Sequence, residues 1–313
     1  MRSALRAKSI IRRYLKPTNL THYSELSRLM DAEIFVKHEN HNPTSSFKIR
    51  GAINLFGSID PEDATSGVLV ATRGNHGLAM AWAAQWFNLP CTVVVPESNS
   101  EEINHCIEGF GAELIIHGHD FYDAQLFCDE LSESAGYYYV EQGNEVSILN
   151  GIGTMTLEIM EDLPDVDVII SPIGGGALCA SIIKVARGIN PEIEIIGVQA
   201  ETAASFYHSW QKGKWVVLDN ADTIADGLAA RSVFQLPYVI MKDQINDVVL
   251  LREDEILSGV NMSIESTHNL AECAGAASLV AAMKIKDRLK GKRVALIMSG
   301  GNIERKHLVQ AIQ

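Results

Sequence analysis

Residues 167–177 read Asp-Val-Ile-Ile-Ser-Pro-Ile-Gly-Gly-Gly-Ala. A β-branched run ends in three glycines, and a helix-length stretch, Gly176–Gly188, follows. The β-branched side chains suit a strand buried on both faces. The glycines let the chain turn and bring backbone N–H groups together. Working outward, the same strand–loop–helix order recurs. Candidate strands are Glu33–Lys37, Gly67–Ala71, Cys91–Val95, Ala112–His117, Tyr137–Val140, Asp167–Ser171, Glu194–Gln199, Asp247–Leu251 and Arg293–Met298. Helix-length segments such as Gly77–Phe87, Ser100–Phe110 and Asp120–Ser134 lie between them. Strands alternating with helices predict α/β architecture with parallel sheets covered on both faces. In such sheets ligands sit where the carboxyl ends of strands lead into helices.

The length, 313 residues, suits one large domain or two ordinary ones. Hydrophobic residues make up 47% and charged residues 21%, a balance that rules out disorder, collagen and coiled coil. With 26 Lys and Arg against 39 Asp and Glu the net charge is −13, which argues against nucleic acid or an anionic membrane as the partner. Cys91, Cys106, Cys128, Cys179 and Cys273 form no CxxC pair, so reduced cysteines in a cytoplasmic protein are expected rather than a disulfide framework or a zinc site. No apolar run is long enough to cross a membrane. The basic start, Met1–Lys16, has the flavour of a transit peptide. An amphipathic helix with Leu5, Ile10, Ile11, Tyr14 and Leu15 as its apolar set, ended by Lys16-Pro17, accounts for it better.

The predicted strand ends carry the polar sequence. Thr72-Arg73-Gly74-Asn75-His76-Gly77 follows one, Gly174-Gly175-Gly176-Ala177 another, and Ser299-Gly300-Gly301-Asn302 a third. Glycine N–H groups ahead of a helix suit a phosphate, although the same glycines serve a plain turn. The pattern is neither GxGxxG nor a P-loop, so a dinucleotide fingerprint is unsupported. Lys48 opens a helix after Asn42-Pro43. A cation there opposes the helix dipole, which lowers its pKa toward the neutral amine that Schiff-base chemistry needs. On its own it also reads as a surface lysine. The Thr72–Gly77 run suits a carboxylate or a polar ring substituent, or a helix N-cap at Asn75.

Order and spacing decide between these readings. Asn42-Pro43-Thr44-Ser45-Ser46-Phe47-Lys48-Ile49-Arg50-Gly51-Ala52 resembles the lysine segment of the threonine and serine dehydratases, which are pyridoxal-phosphate enzymes of fold type II, the tryptophan-synthase-β-like group. Gly74-Asn75-His76-Gly77, Gly174-Gly175-Gly176, Thr223-Ile224-Ala225-Asp226-Gly227-Leu228 and Ser299-Gly300-Gly301-Asn302 fall in that family's order. The resemblance spans nearly the whole chain. It implies two three-layer α/β/α domains with mainly parallel sheets: a large one from residues 1–66 and 145–313, and a small inserted one from residues 67–144. It also implies a homodimer.

By the same resemblance the cofactor is pyridoxal 5'-phosphate. Lys48 carries it as a Schiff base and later moves the α-proton; Phe47 packs beside the ring and Asn75 meets the ring hydroxyl. Gly174, Gly175, Gly176 and Ala177 cradle the phosphate, with alanine where the family usually has a fourth glycine. Ser299 faces the pyridine nitrogen, and a neutral hydroxyl there leaves a weaker electron sink, which suits elimination. Thr72, Asn75 and His76 hold the substrate carboxylate, and Arg73 joins them as a substrate-binding residue. The implied reaction eliminates water from a β-hydroxy amino acid such as L-threonine or L-serine, and the released enamine hydrolyses to a 2-oxo acid and ammonia.

Three departures qualify this. Arg73 stands where relatives carry Ser or Ala; in the family's serine racemases that serine is the second acid–base group, so racemisation is disfavoured. An arginine also pairs bidentately with carboxylates. A larger or acidic substrate follows as the alternative, a hydroxyaspartate or a hydroxyectoine-derived amino acid, since Thr-Arg-Gly-Asn-His-Gly looks like the variant of dehydratases linked to hydroxyectoine use. Arg73 turned away into a salt bridge is the bland reading. Second, Glu201 and Ser205 match two cation ligands of related enzymes, but Tyr207 replaces the second acid, so a weak cation site or none is expected. Third, the sequence ends soon after Asn302, so no regulatory domain and no feedback by isoleucine is expected. The rivals are β-replacement, against which Gly74-Asn75-His76-Gly77 counts, and a non-catalytic cofactor-binding protein, against which Lys48, Asn75 and Ser299 count.

Overall fold

The structure, a computed structural model, describes residues 2–313. Among the described residues the strands are β1 (Leu20–His22), β2 (Glu33–His38), β3 (Val68–Ala71), β4 (Cys91–Val95), β5 (Glu113–Ile116), β6 (Tyr138–Tyr139), β7 (Val168–Pro172), β8 (Glu194–Ala200), β9 (Asp247–Leu251) and β10 (Arg293–Met298). They form a six-stranded sheet, β1-β2-β10-β7-β8-β9, and a four-stranded sheet, β5-β4-β3-β6. All pairs are parallel except β1 with β2. Every residue of β3, β4 and β7 is buried, as expected of strands covered by helices on both faces.

Connectivity explains why the polar loops converge. In the six-stranded sheet the chain runs outward one way through β7, β8 and β9, while β10 returns beside β7 and pairs with β2 on its other side. That reversal opens a crevice beyond the carboxyl ends of β7 and β10, where the glycine triplet and Ser299 lie. The four-stranded sheet has its own reversal, β3 lying between β4 and β6, with Thr72 following β3 and Gln142 following β6.

The N-terminus corrects the sequence reading. Its helix is Arg2–Ile11 and stops before Lys16-Pro17. Its buried residues are Ala4, Ala7, Lys8 and Ile11, whereas Leu5 is 49% exposed. The buried set follows i, i+3, i+4, i+7, and Leu5 falls off that stripe. Lys8 pairs with Glu161 on the helix Val146–Asp162. β1 escaped the reading because three residues carry no period.

A buried ionic cluster joins the parts nearest the loops. Arg50, in the helix Lys48–Phe56, donates Nε and Nη2 to Glu39 at 2.7 and 2.9 Å, and Nη1 and Nη2 to Glu158 at 2.7 and 2.7 Å. Thr18 Oγ1 donates to Glu39 at 2.6 Å, and Lys37 Nζ donates to Glu158 at 2.8 Å and to the Thr18 carbonyl at 2.7 Å. Burial pushes the Glu39 carboxyl up, but Arg50, Lys37 and Thr18 together hold it below its ordinary range. Arg50→Ala strands two buried carboxylates. We expect a loss of about 3–5 kcal/mol in urea unfolding at unchanged slope; a loss below about 1 kcal/mol would place the cluster with surface ion pairs instead.

Candidate active site

Lys48 is delivered by a loop stitched to a neighbour. After β2 the chain reaches Ser45 at φ +52°, Ser46 forms a bridge with Gly300, and the Phe47 N–H donates to the Ser299 carbonyl at 3.1 Å. The Gly301 N–H donates back to the Ser45 carbonyl at 2.9 Å. Lys48 is then the first residue of its helix. Its Nζ donates to Gln142 Oε1 at 3.1 Å and lies 5.3 Å from the centroid of the Phe47 ring. Burial pushes its pKa down to about 8, with Glu272 pulling the other way. Desolvation therefore does what the helix dipole was expected to do.

Thr72, not Asn75, ties up the start of the helix Asn75–Phe87. Its Oγ1 accepts from the N–H groups of Gly74 and Gly77 at 3.1 and 3.2 Å. That frees the Asn75 side chain to reach across the crevice. Asn75 Nδ2 donates to both oxygens of Glu272 at 2.9 and 3.0 Å, and its Oδ1 accepts from Asn302 Nδ2 at 2.6 Å. His76 is buried, its Nε2 has no partner, and burial together with the Lys48 charge holds it well below the usual imidazole range, hence neutral. Arg73 is exposed and makes no salt bridge among the described residues, so the reading that turned it away into one is not met; its charge acts on Asp226.

The glycine triplet lies between β7 and the helix Ala177–Ile189. Gly176 takes the left-handed conformation, φ +92°, and Ala177 is already helical, so the alanine departure costs the loop nothing. A Cβ on Gly174 would strike the Gly227 carbonyl, and one on Gly175 would lie 2.6 Å from Phe234. Among the described residues the N–H groups of Gly174, Gly175, Gly176 and Ala177 have no acceptor in the chain. Unpaired N–H groups at a helix N-terminus form an anion cradle. Thr44 Oγ1 and Ser46 Oγ, both buried, are also without partners. Ser299 is 4% exposed, just past β10. An anionic, polar, ring-bearing ligand fits these residues.

Sequence reasoning missed Glu272, Gln142, Asn302 and Phe234. Glu272 stands just before the helix Cys273–Lys284, where an acid is unremarked. Asn302 was quoted within its motif but given no role. Near the residues considered for a cation, Gln199 Nε2 donates to the carbonyls of Ile173 and Ala203 at 3.3 and 3.2 Å, and its Oε1 accepts from the Tyr207 N–H at 2.9 Å.

Comparison with known proteins places this geometry. A model of the family "pyridoxal-phosphate dependent enzyme" matches residues 11–300. An L-threonine ammonia-lyase of Thermotoga maritima is 35% identical over 298 residues, covering 95% of this chain and 74% of its own length. A maize serine racemase superposes with TM-score 0.94 at 28% identity, covering 99% of this chain and 96% of its own. The processed form of threonine deaminase isoform 2 from Solanum lycopersicum superposes with TM-score 0.92 at 27% identity, covering 99% and 92%.

The lowered pKa of Lys48 has a direct consequence. Between pH about 8 and the ordinary lysine value of 10.5 this amine is neutral while surface lysines stay protonated. Reductive trapping of a small aldehyde on the cofactor-free protein, read by peptide mapping, should label Lys48 first, with a midpoint near pH 8. A midpoint shared with the surface lysines would contradict the desolvation argument.

Proposed function

The chain belongs to the family of pyridoxal-phosphate dependent enzymes, and from that premise we propose that it is a dehydratase, an ammonia-lyase that eliminates water from a β-hydroxy amino acid such as L-threonine or L-serine and takes water up again as ammonia leaves, so that the net loss of ammonia gives a 2-oxo acid. The observation that carries the reading is the desolvated Lys48 amine, set in the crevice with the N–H cradle of Gly174–Ala177. The cofactor is pyridoxal 5'-phosphate. When bound it supplies an electron sink that lets an amino acid lose its α-proton.

The chain's residues divide the remaining work. Lys48 would hold the cofactor through Nζ, and the same amine, once free, would take the α-proton as general base; with its pKa pushed down to about 8, a larger share of it is neutral at neutral pH than of an ordinary lysine. Gly174, Gly175, Gly176 and Ala177 would donate N–H groups to the phosphate. Phe47 would pack beside the ring, Asn75 would donate to the ring hydroxyl, and Ser299 would offer the ring nitrogen a neutral hydroxyl. The substrate carboxylate would be held by the Thr72 hydroxyl, the Asn75 backbone N–H and neutral His76, whose unpartnered Nε2 suits donation. The four-stranded sheet falls wholly within residues 67–144, which supports reading that segment as a small domain that closes on the flanking large one and excludes water. Five free cysteines fit a cytoplasmic protein, and the family resemblance supports a homodimer.

Arg73 favours a second reading of the substrate. Exposed and without a salt bridge, its guanidinium is available to a second carboxylate, as an acidic substrate such as a hydroxyaspartate would carry. Arg73 also carries no hydroxyl where the family's serine racemases use one as their second acid–base group, which supports elimination over racemisation.

The test is 2-oxo acid and ammonia release from the cofactor-loaded protein on L- and D-serine, L- and allo-threonine and the hydroxyaspartates. We expect turnover that Lys48→Ala abolishes. Release from none of them would sink the reading. Arg73→Ser should lower kcat/KM for acidic substrates by about tenfold to a hundredfold, the weight of one lost ion pair, and leave L-serine little changed; an unaltered ranking would make Arg73 a bystander.

A further inference from the structure

Asn75 lies on the helix that follows β3, whereas Glu272 and Asn302 belong to the segments flanking β10. The contact between them is fully determined. Glu272 presents two acceptor oxygens, so the Asn75 atom facing it is the amide nitrogen; Asn302 Nδ2 donates to Asn75 Oδ1, so the oxygen faces the other way. Asn302 Nδ2 is itself fixed by donating to the Thr44 carbonyl at 3.0 Å. The Asn75 amide is locked against a flip.

The carboxylate is seated with equal care. The Glu272 N–H donates to the Gly300 carbonyl at 3.0 Å. A Cβ on Gly300 would lie 2.6 Å from Glu272 Oε1, and one on Gly227 3.7 Å from it. The first glycine of Ser299-Gly300-Gly301-Asn302 thus leaves the carboxylate room to sit where it does. The charged groups facing Glu272 are Lys48 and Asp226. Burial pushes the Glu272 carboxyl up to about 7, opposed by Asn75, the Asn302 backbone and Lys48.

We infer that Glu272 is a positioning residue: by locking the Asn75 amide it fixes that side chain as a hydrogen-bond donor toward the cofactor's ring hydroxyl. The inference rests on the placement of Asn75 in the reading above. The Asn75 nitrogen carries two N–H groups, and one of them shared between the two Glu272 oxygens leaves the second for the crevice. A donor there stabilises the ring oxygen as an anion, and hydrogen bonding to a charged form favours that form. Without Glu272 only the Asn302 contact holds the amide, so its nitrogen can swing out of line with the ring oxygen, which favours the neutral hydroxyl. Glu272 acts through Asn75 and does not touch the reacting atoms.

The bound cofactor's own absorption reads this state, since the anionic and neutral forms of the ring oxygen give a visible and a near-ultraviolet band. Above the carboxyl midpoint of about 7, Glu272→Gln should lower the ratio of visible to near-ultraviolet absorbance by about tenfold, the weight of one charge-assisted hydrogen bond. Asn75→Ala should do the same, and the double variant should show no further change. Gly300→Ala keeps the carboxylate but displaces it, and should reproduce the shift even if Glu272→Gln fails to fold. A wild-type spectrum in both Glu272→Gln and Gly300→Ala overturns the inference, as does full additivity with Asn75→Ala. Failure of the reading beneath it looks different: the wild-type protein would then show no cofactor band that Lys48→Ala removes.

Discussion

Arg50 is the constraint on which the rest of the site depends. It is two residues from Lys48, fully buried, and held by two carboxylates from distant parts of the chain, Glu39 just after β2 and Glu158 on the helix Val146–Asp162. Taking such charges out of water is expensive, and the attraction repays it only when geometry is good and remaining lone pairs are met. Here the guanidinium fork is used on both carboxylates, Thr18 and Asn42 meet further Glu39 lone pairs, and Lys37 adds a second cation. Lys37 and Arg50 balance Glu39 and Glu158. A neutral cluster fixes the Lys48 helix without laying a strong field across the Lys48 amine, whose pKa is then set by burial.

The fixed helix makes the loops before it expensive to satisfy. Thr44 Oγ1, Ser46 Oγ and His76 Nε2 are buried without partners, and each such group costs about 1–3 kcal/mol when left unmade. The neighbouring backbone is nonetheless well paired, through Ser46 with Gly300 and Phe47 with Ser299. The unmet groups therefore mark a demand for ligand rather than a loosely built region. Polar groups left open by a rigid surround are what preorganisation looks like before the ligand arrives.

Sequence alone exposed the periodic features and the motif residues. β4, β9 and β10 match their predicted bounds residue for residue, because near-continuous apolar runs fill parallel strands. Lys48, Asn75, the glycine triplet and Ser299 were legible because each follows a strand, where the loops of such a sheet meet. The misses share another cause. Glu39, Arg50 and Glu158 are one cluster only after folding, and nothing in the local pattern of Glu158 separates it from a solvent-facing acid. Glu272 looks like any acid before a helix. Leu5 was assigned to the core by hydrophobicity, yet the stripe that packs on Val146–Asp162 is set by the small Ala4 and Ala7.

Phe234 shows how far such coupling extends. A Cβ on Gly143 would collide with its ring, and a Cβ on Gly175 would lie within 2.8 Å of two of its ring atoms. These glycines sit in loops of different sheets, one beside Gln142, the hydrogen-bond partner of Lys48, and the other in the N–H cradle. The Phe234 N–H donates to the Gly175 carbonyl at 3.1 Å, and the Leu236 N–H donates to Asn144 Oδ1 at 3.1 Å. One ring thus spaces the loop that holds the amine from the loop shaped for the anion. Gly143 and Gly175 answer to the same side chain, so a change at any of the three would move amine and cradle relative to each other. Neither glycine needs a left-handed backbone; what fixes them is close approach.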